Sequence, residues 1–390
     1  MKIVAFTHDI FPGGGAERVT IDIAKYLLEN YSGYKFYVFT PNLAEDLYTE
    51  EIKQYITAVQ VSRDHDERNR EIEGFIKEYG ISLIIQVVKP LKHIKDIRNR
   101  TGCKVILANH GEPFWERYTV IRHRQNALFY KPLWKVFWKR YFVDKGHARK
   151  AVIKRVKRHY YNCDVYTVLC EDYRNEVCEG FGISPQQSKI VAIENSERIV
   201  ADVNYDKEKI IMFCGRLENT SKRLDRLLRI WGKVQHKLPD YRLLIVGDGK
   251  YRGEMEQQIA REKLERVDMV GRQSNVDQFY RKASIVCLTS QTEGWGLCLT
   301  EGQAHGCIPV AFGCTSGVKD IISPSGINGF IVTPFDEDEY ADTLLHIASM
   351  SEEERSAIRH SAVAKRAKYS PDIIMQKWAN LIESMFNTKQ

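Results

Sequence analysis

The pattern of this 390-residue chain predicts an α/β protein with two doubly wound parallel sheets in tandem. Three observations predict it. Short apolar runs rich in Val and Ile alternate with helical patterns, the rhythm of βαβ units. Several of those runs are apolar throughout, as strands covered on both faces should be. The rhythm then restarts after a polar stretch, "NSERIVADVNYDKEK" (195–209).

In the first half, strands are expected at 2–8, 35–41, 57–61, 82–88, 104–110 and 164–169, with 189–195 closing the set. Helical patterns such as "AERVTIDIAKYLLEN" (16–30) lie between them. The second half offers strands at 209–217, 241–249, 266–272, 283–290, 307–313 and 329–334. The expected division is 1–200 for the first Rossmann-like domain and 201–370 for the second. A last helix, 371–390, is expected to pack back on the first domain. Ser370 suits its N-cap and Pro371 its first turn. Ile374, Trp378, Leu381, Ile382 and Met385 then share one face. Sheets of this kind bind ligands at the carboxyl ends of their strands. Two such domains facing each other would enclose a cleft with the motifs on its walls.

Composition narrows the class. The chain is 43% hydrophobic and 28% charged, an ordinary globular balance. No apolar run approaches the roughly 18 residues of a membrane-spanning helix. The opening "MKIVAFTHDIFPGGG" reads as a first strand, not a secretory signal. There are nine cysteines, mostly inside apolar runs and without paired Cys-x-x-Cys spacing. They read as buried thiols in a reducing cytoplasm rather than zinc ligands or disulfides.

The net charge of +7 is local. Residues 117–161 hold fourteen Lys and Arg against one acid, Asp144, so the remainder of the chain is net acidic. Within this segment, "LFYKPLWKVFWKRYF" (128–142) places Lys131, Lys135 and Lys139 on one helical face. Phe129, Leu133, Trp134, Phe137, Trp138 and Tyr141 occupy much of the rest. The pattern fits an interfacial anchor on an anionic membrane surface. It equally fits a core helix with a solvated basic side. No nucleic-acid-binding motif accompanies the charge, so nucleic acid is not an expected partner.

Three motifs carry chemistry. "HDIFPGGGAERV" (8–19) follows the first strand and opens a helix, where backbone N–H groups can meet an anion. It lacks the last glycine of a dinucleotide fingerprint and the Gly-Lys-Ser/Thr of a Walker loop. It is either an anion- or sugar-facing loop or a plain tight turn. "CGRLENTSKRLDRLL" (214–228) sets Arg216 after a strand and Lys222 near a helix start. An arginine fork and a lysine point charge suit a diphosphate. The alternative is two solvated surface cations. "VGDG" (246–249) ends the next strand in a turn. "SQTEGWGLCLTEGQAHG" (290–306) carries Glu293 and Glu301 with seven residues between them. A carboxylate accepts from two neighbouring hydroxyls, which suits a sugar diol. The N–H groups around Gly296, Leu297 and Cys298 would face phosphate oxygens. The alternative is acids favoured near a helix N-terminus by its dipole.

Taken together, "GRL…SK", "IVGDG", "TSQTEGWGLCLTEGQAHGCIPVAFG" and "GINGFIV", preceded by "PGGGAERV", resemble family 4 glycosyltransferases in order and spacing. The resemblance covers most of the chain and is strongest over 209–334. It implies the GT-B fold and transfer of a hexose-type sugar from a nucleotide sugar, with UDP favoured and anomeric configuration retained. The implied acceptor is a glycan or lipid-linked glycan of cell-surface polysaccharide or glycolipid synthesis. By the resemblance, Glu301 holds ribose hydroxyls and Glu293 lies near the transferred sugar. Arg216 and Lys222 are the diphosphate pair, with Lys222 one residue later than the commonest spacing. His110, ending "KVILANH", reaches the reacting sugar. Gly14 and Gly15 belong to the loop beside diphosphate and acceptor. The chain departs from the pattern at Gly302, where Ala is usual, and at His305 and Asp320.

The implied reaction breaks the bond between anomeric carbon and diphosphate oxygen, and Arg216, Lys222 and loop amides stabilise the leaving group. No cofactor and no metal are expected, and no Asp-x-Asp pair stands where one would be held. The expected location is cytoplasmic, with peripheral attachment to the membrane as an extension. Rival readings are a GT-B-fold epimerase working without an acceptor and a non-catalytic sugar-binding protein.

Overall fold

The computed structural model describes residues 1–87, 90–117, 146–197 and 199–387. The segment 128–142 singled out by its sequence lies outside the described residues. The chain divides into two compact units. One comprises Met1–Glu194 and Met375–Gln390, the other Asn195–Ile374.

The first unit is built on seven parallel strands: β1 (Lys2–Thr7), β2 (Tyr34–Thr40), β3 (Thr57–Gln60), β4 (Leu83–Val87), β5 (Lys104–Ala108), β6 (Val165–Val168) and β7 (Ile190–Ala192). Their order is β3-β2-β1-β4-β5-β6-β7. β1 lies between β2 and β4, with Val4 opposite both Phe36 and Leu83. Val4, Ala5, Phe6, Leu83, Ile84, Val105 and Ile106 are fully buried, which is why these runs carry no polar alternation. The second unit holds six parallel strands: β8 (Glu208–Cys214), β9 (Arg242–Val246), β10 (Val267–Gly271), β11 (Ala283–Leu288), β12 (Ile308–Phe312) and β13 (Phe330–Val332). Their order is β10-β9-β8-β11-β12-β13.

Every expected strand has its counterpart. Three strands end three residues early: β7 at Ala192, β9 at Val246, and β8, expected to run to 217, at Cys214. Beyond it the chain bends into a loop yet keeps its neighbour. Gly215 N–H donates to the Val246 carbonyl at 3.0 Å and Leu217 N–H to that of Asp248 at 2.9 Å. In both sheets the strand order reverses direction at one point, between β1 and β4 and between β8 and β11. Loops leaving the carboxyl ends there diverge and leave room for a ligand.

The last helix, Pro371–Asn387, starts in the second unit and joins the first from Met375 onward. Ile374, Met375, Trp378, Ala379 and Ile382 are its buried residues. In the first unit Glu383 accepts from Lys2 Nζ at 2.6 Å and from the Tyr34 hydroxyl at 2.6 Å. Lys377 pairs with Glu194 at 2.6 Å. Of the basic segment, the helix His147–Tyr161 is described. Among the described residues no helix is long and apolar enough to cross a membrane.

Candidate active site

The site of the second unit is assembled at the switch point between β8 and β11. After β8 the chain runs through Gly215 and Arg216 and enters the helix Leu224–Val234. Glu218 shapes this loop. Its carboxylate accepts from the N–H of Thr220 at 2.8 Å, from that of Ser221 and from the Ser221 hydroxyl. Burial opposes ionisation there, yet these donors hold the Glu218 carboxyl below the usual carboxylate range. The loop after β11 is stitched to it. Gln291 N–H donates to the Ser221 carbonyl at 2.6 Å, and the Thr289 hydroxyl reaches the Lys222 carbonyl at 3.3 Å.

This stitching brings Lys222 and Glu293 into contact, with Nζ 2.5 Å from Oε2. Both side chains are largely covered, 21% and 16% exposed. Ser290 also donates to the same carboxylate oxygen at 3.2 Å. Burial alone would push the Lys222 ammonium down. The charge of Glu293 and the hydrogen bond to it outweigh burial and raise the pKa, so the ammonium stays charged. Arg216 differs: its guanidinium is exposed and makes no ion pair or hydrogen bond among the described residues. A largely covered, ion-paired lysine and an exposed arginine with no ion pair among the described residues thus stand eight residues or fewer from the same strand end.

Gly296 is the N-cap of the helix Leu297–Ala304, in a left-handed conformation with φ 101° and no side-chain cap. The first N–H groups of a helix have no partner within it. Leu297 and Cys298 therefore present amides, and Leu299 N–H turns back to Gly296 at 2.9 Å. The Cys298 thiol is buried, which pushes it upward, so only the backbone of this residue suits an anion. One turn on, Glu301 accepts from the Tyr280 hydroxyl at 2.9 Å. Tyr280 is fully buried, and its ring stacks on that of His305 with centroids 5.5 Å apart. His305 donates from Nδ1 to the Glu301 carbonyl at 2.9 Å. Gly302 meets the sheet: a Cβ placed on it would lie 2.5 Å from Val286 Cγ1. Val286 is fully buried on β11, so the helix lies this close only because residue 302 has no side chain.

The sequence departures at 302 and 305 therefore have structural reasons. Tyr280 and Glu218 carry no signal in the sequence. Tyr280 stands in "FYRK" and looks like a core aromatic, and only the fold brings it to Glu301.

His110, Gly14 and Gly15 belong to the first unit, at the carboxyl edge of its own sheet. His110 follows β5 by two residues and is half-buried. Gly14 is the exposed N-cap of the helix Gly15–Asn30.

Two family models match consecutive parts of the chain. "Glycosyltransferase Family 4" matches residues 13–196. "Glycosyl transferases group 1" matches residues 195–363, which contain the whole Arg216–Glu301 constellation. The chain is a family 4-type glycosyltransferase. Among its relatives, the α-1,4-N-acetyl-D-galactosaminyltransferase acting on an undecaprenol-linked diphosphate glycan of Campylobacter jejuni is 23% identical, over 99% of this chain and all of that one. The amylovoran biosynthesis glycosyltransferase AmsD of Erwinia amylovora is 30% identical over 48% of this chain, about half (52%) of its own length. The Anabaena Alr3699/HepE structure in complex with UDP covers 98% of the chain and all of its own at a TM-score of 0.74 and 17% identity. At that identity it establishes the fold, which is the two-sheet GT-B architecture of these glycosyltransferases.

Proposed function

We propose that this glycosyltransferase moves a hexose-type sugar from a UDP-sugar to a hydroxyl of a glycan or lipid-linked glycan, with retention of configuration and without a metal. The product would belong to bacterial cell-surface polysaccharide or glycolipid. The observation that carries the reading is the Lys222–Glu293 contact at 2.5 Å, together with Arg216, exposed just after the same strand β8, and the first amides of the helix Leu297–Ala304. This set offers fixed positive charge for a diphosphate and a carboxylate for the hydroxyls of the attached sugar. Support for the substrate classes comes from the relatives: the Campylobacter enzyme is named for a polyprenol-linked acceptor and the Anabaena structure holds UDP.

In the proposed reaction, the bond between the anomeric carbon and the diphosphate oxygen breaks. The acceptor oxygen bonds to that carbon on the same face. Its proton passes to the departing phosphate oxygen, so the products are glycoside and UDP. Lys222 and Arg216 stabilise the charge growing on the diphosphate. Glu293 serves two partners: it keeps Lys222 aimed and accepts from sugar hydroxyls. Glu301, steadied by Tyr280, accepts from the ribose diol. His110 is assigned to the reacting sugar.

A membrane-surface acceptor is supported by the helix His147–Tyr161. Ala148, Val152 and Tyr160 face inward, while Lys150, Lys154 and Arg158 are exposed without an acidic partner among the described residues. Tyr161, 61% exposed, follows on the same side. Co-sedimentation with phosphatidylglycerol vesicles that falls with salt supports attachment; no binding at low salt leaves a soluble acceptor.

The test of function is a screen of UDP-, GDP- and ADP-sugars for thermal stabilisation and for nucleotide release with and without an acceptor, in the presence of EDTA. UDP release that needs an acceptor and survives EDTA supports the reading. Epimer formation without an acceptor, or strict dependence on an added divalent cation, defeats it.

A further inference from the structure

Beneath the glycine loop of the first unit lies a carboxylate with no part in the donor chemistry. Glu17 stands in the first turn of the helix Gly15–Asn30. Its Oε1 is 3.4 Å from Nδ1 of His8. The other ring nitrogen of His8, Nε2, is 2.8 Å from the Thr20 hydroxyl. A carboxylate oxygen only accepts, so we assign the hydrogen of the neutral ring to Nδ1, facing Glu17. Nε2 then accepts, and Thr20 donates to it. That commits the single hydroxyl hydrogen of Thr20, whose other acceptor, the Ala16 carbonyl, lies farther off at 3.3 Å. Both nitrogens of His8 are thus taken up inside the protein. The His8 side chain is 2% exposed and Glu17 19%. His8 is therefore a strut, and Glu17 is what the strut presents.

Gly14 is the opening above it. A Cβ at this position would lie 2.4 Å from Glu17 Oε2. Any side chain there would cover or displace the carboxylate. Burial works against ionising Glu17, but the His8 hydrogen bond, its own backbone N–H and the neighbourhood of His8 and His110 together hold its pKa below the ordinary value. An ionised carboxylate at the mouth of the loop repels a diphosphate and attracts hydroxyl donors. The loop 13–15 therefore suits a neutral polyol rather than an anion.

We propose that Glu17 is an acceptor-binding carboxylate, aimed by His8 and Thr20 and uncovered by Gly14, which accepts a hydrogen bond from a sugar hydroxyl of the acceptor. The inference rests on the transferase reading above and adds the acceptor contact to it.

Octyl glycosides of glucose, galactose, N-acetylglucosamine and N-acetylgalactosamine serve as acceptor probes with the UDP-sugar that the screen selects. Glu17→Gln keeps the shape and removes the charge. It should raise the KM for the octyl glycoside at least tenfold while the Kd for UDP stays within twofold. Thr20→Val loosens the strut without touching the carboxylate and should raise that KM about threefold, the scale of a modest neutral hydrogen bond. Independently of turnover, ¹⁵N spectra of the histidine rings should show His8 with its hydrogen on Nδ1, and Glu17→Gln should shift it toward Nε2. An unchanged octyl glycoside KM in Glu17→Gln overturns the proposal, as does an equal loss of UDP and acceptor affinity. A parent protein that releases UDP to no acceptor, with the His8 signature intact, marks failure of the transferase reading, and the acceptor role falls with it.

Discussion

At the carboxyl edge of the six-stranded sheet a cation and an anion touch, Lys222 and Glu293 at 2.5 Å, and a second cation, Arg216, is exposed two residues after the end of β8. At the corresponding edge of the seven-stranded sheet stand glycines, two histidines and a carboxylate, and Glu17 meets an imidazole rather than a lysine. The two units share one strand topology over six positions, β3-β2-β1-β4-β5-β6 against β10-β9-β8-β11-β12-β13, and the first unit adds β7 at its edge. The same scaffold thus carries a largely covered cation–anion contact on one side and, around Glu17, imidazole and carboxylate groups on the other. That is the division a transfer between a diphosphate-linked donor and a hydroxyl acceptor asks for.

The sharpest way to break this comparison is to take the charge from the donor side. Lys222→Ala removes the cation proposed to meet the leaving diphosphate and leaves Glu293 without its ion partner. The expected loss is in kcat, about 10²–10³-fold, as for removal of one preorganised transition-state donor. Affinity for UDP should change far less, because the charge on the leaving group peaks in the transition state. Steady-state kinetics beside UDP calorimetry checks the split. A variant with unaltered kcat would mean that the Lys222–Glu293 contact only holds two loops together.

Glu301→Ala should act on binding instead. Losing a charged hydrogen-bond acceptor for the ribose is worth about 1.5–3 kcal/mol, or roughly 10–150-fold in the Kd for UDP. Tyr280→Phe tests the same point at one remove, since Tyr280 touches Glu301 and not the ligand. If UDP binding is indifferent to both, the ribose lies elsewhere.

These two predictions show what the sequence displays and what it hides. The strands were legible because parallel strands buried on both faces leave continuous apolar runs, such as "SLIIQVV". Glu293 and Glu301 were legible as candidates because they share one short loop-helix segment. The contacts were not. Lys222 is 71 positions from Glu293, and Tyr280 is 21 from Glu301. Only the parallel crossovers bring them side by side. Likewise, nothing local distinguishes Glu17 from any acid that favours a helix N-terminus, until His8 and Gly14 are seen around it. Gly302 read as a departure from a family pattern, and its reason, the closeness of Val286, is tertiary.

Gly302→Ala measures that closeness. The added methyl group would sit 2.5 Å from Val286 Cγ1, and Val286 is a fully buried β-branched residue on a central strand. Overpacking of this kind costs about 1–3 kcal/mol. Thermal melts should show a lower Tm, and the helix carrying Glu301 should shift outward, with weaker UDP binding as the second readout. An unchanged Tm would mean that the helix moves freely and that its register against β11 does not set the site.

Of the variants in this series, the smallest effect is expected at His110 in the first unit. Substitution by Ala should lower kcat about tenfold, the value of one hydrogen bond of about 1.4 kcal/mol to the reacting sugar. The Kd for UDP should stay within twofold, because His110 belongs to the unit that lacks Arg216, Lys222 and Glu301. The comparison between the two edges makes this asymmetry the point of the experiment: a donor-side variant moves UDP affinity or leaving-group departure, whereas His110 should touch only the chemical step. His110 is half-buried and its neighbourhood helps keep Glu17 ionised, so a purely structural role has a distinct signature. In that case His110→Ala would lower the Tm and raise the acceptor KM through Glu17 while kcat at saturating acceptor stayed at the parent value. His110→Gln, which keeps a side-chain hydrogen-bond donor, should recover part of kcat only if the residue bonds to the sugar itself.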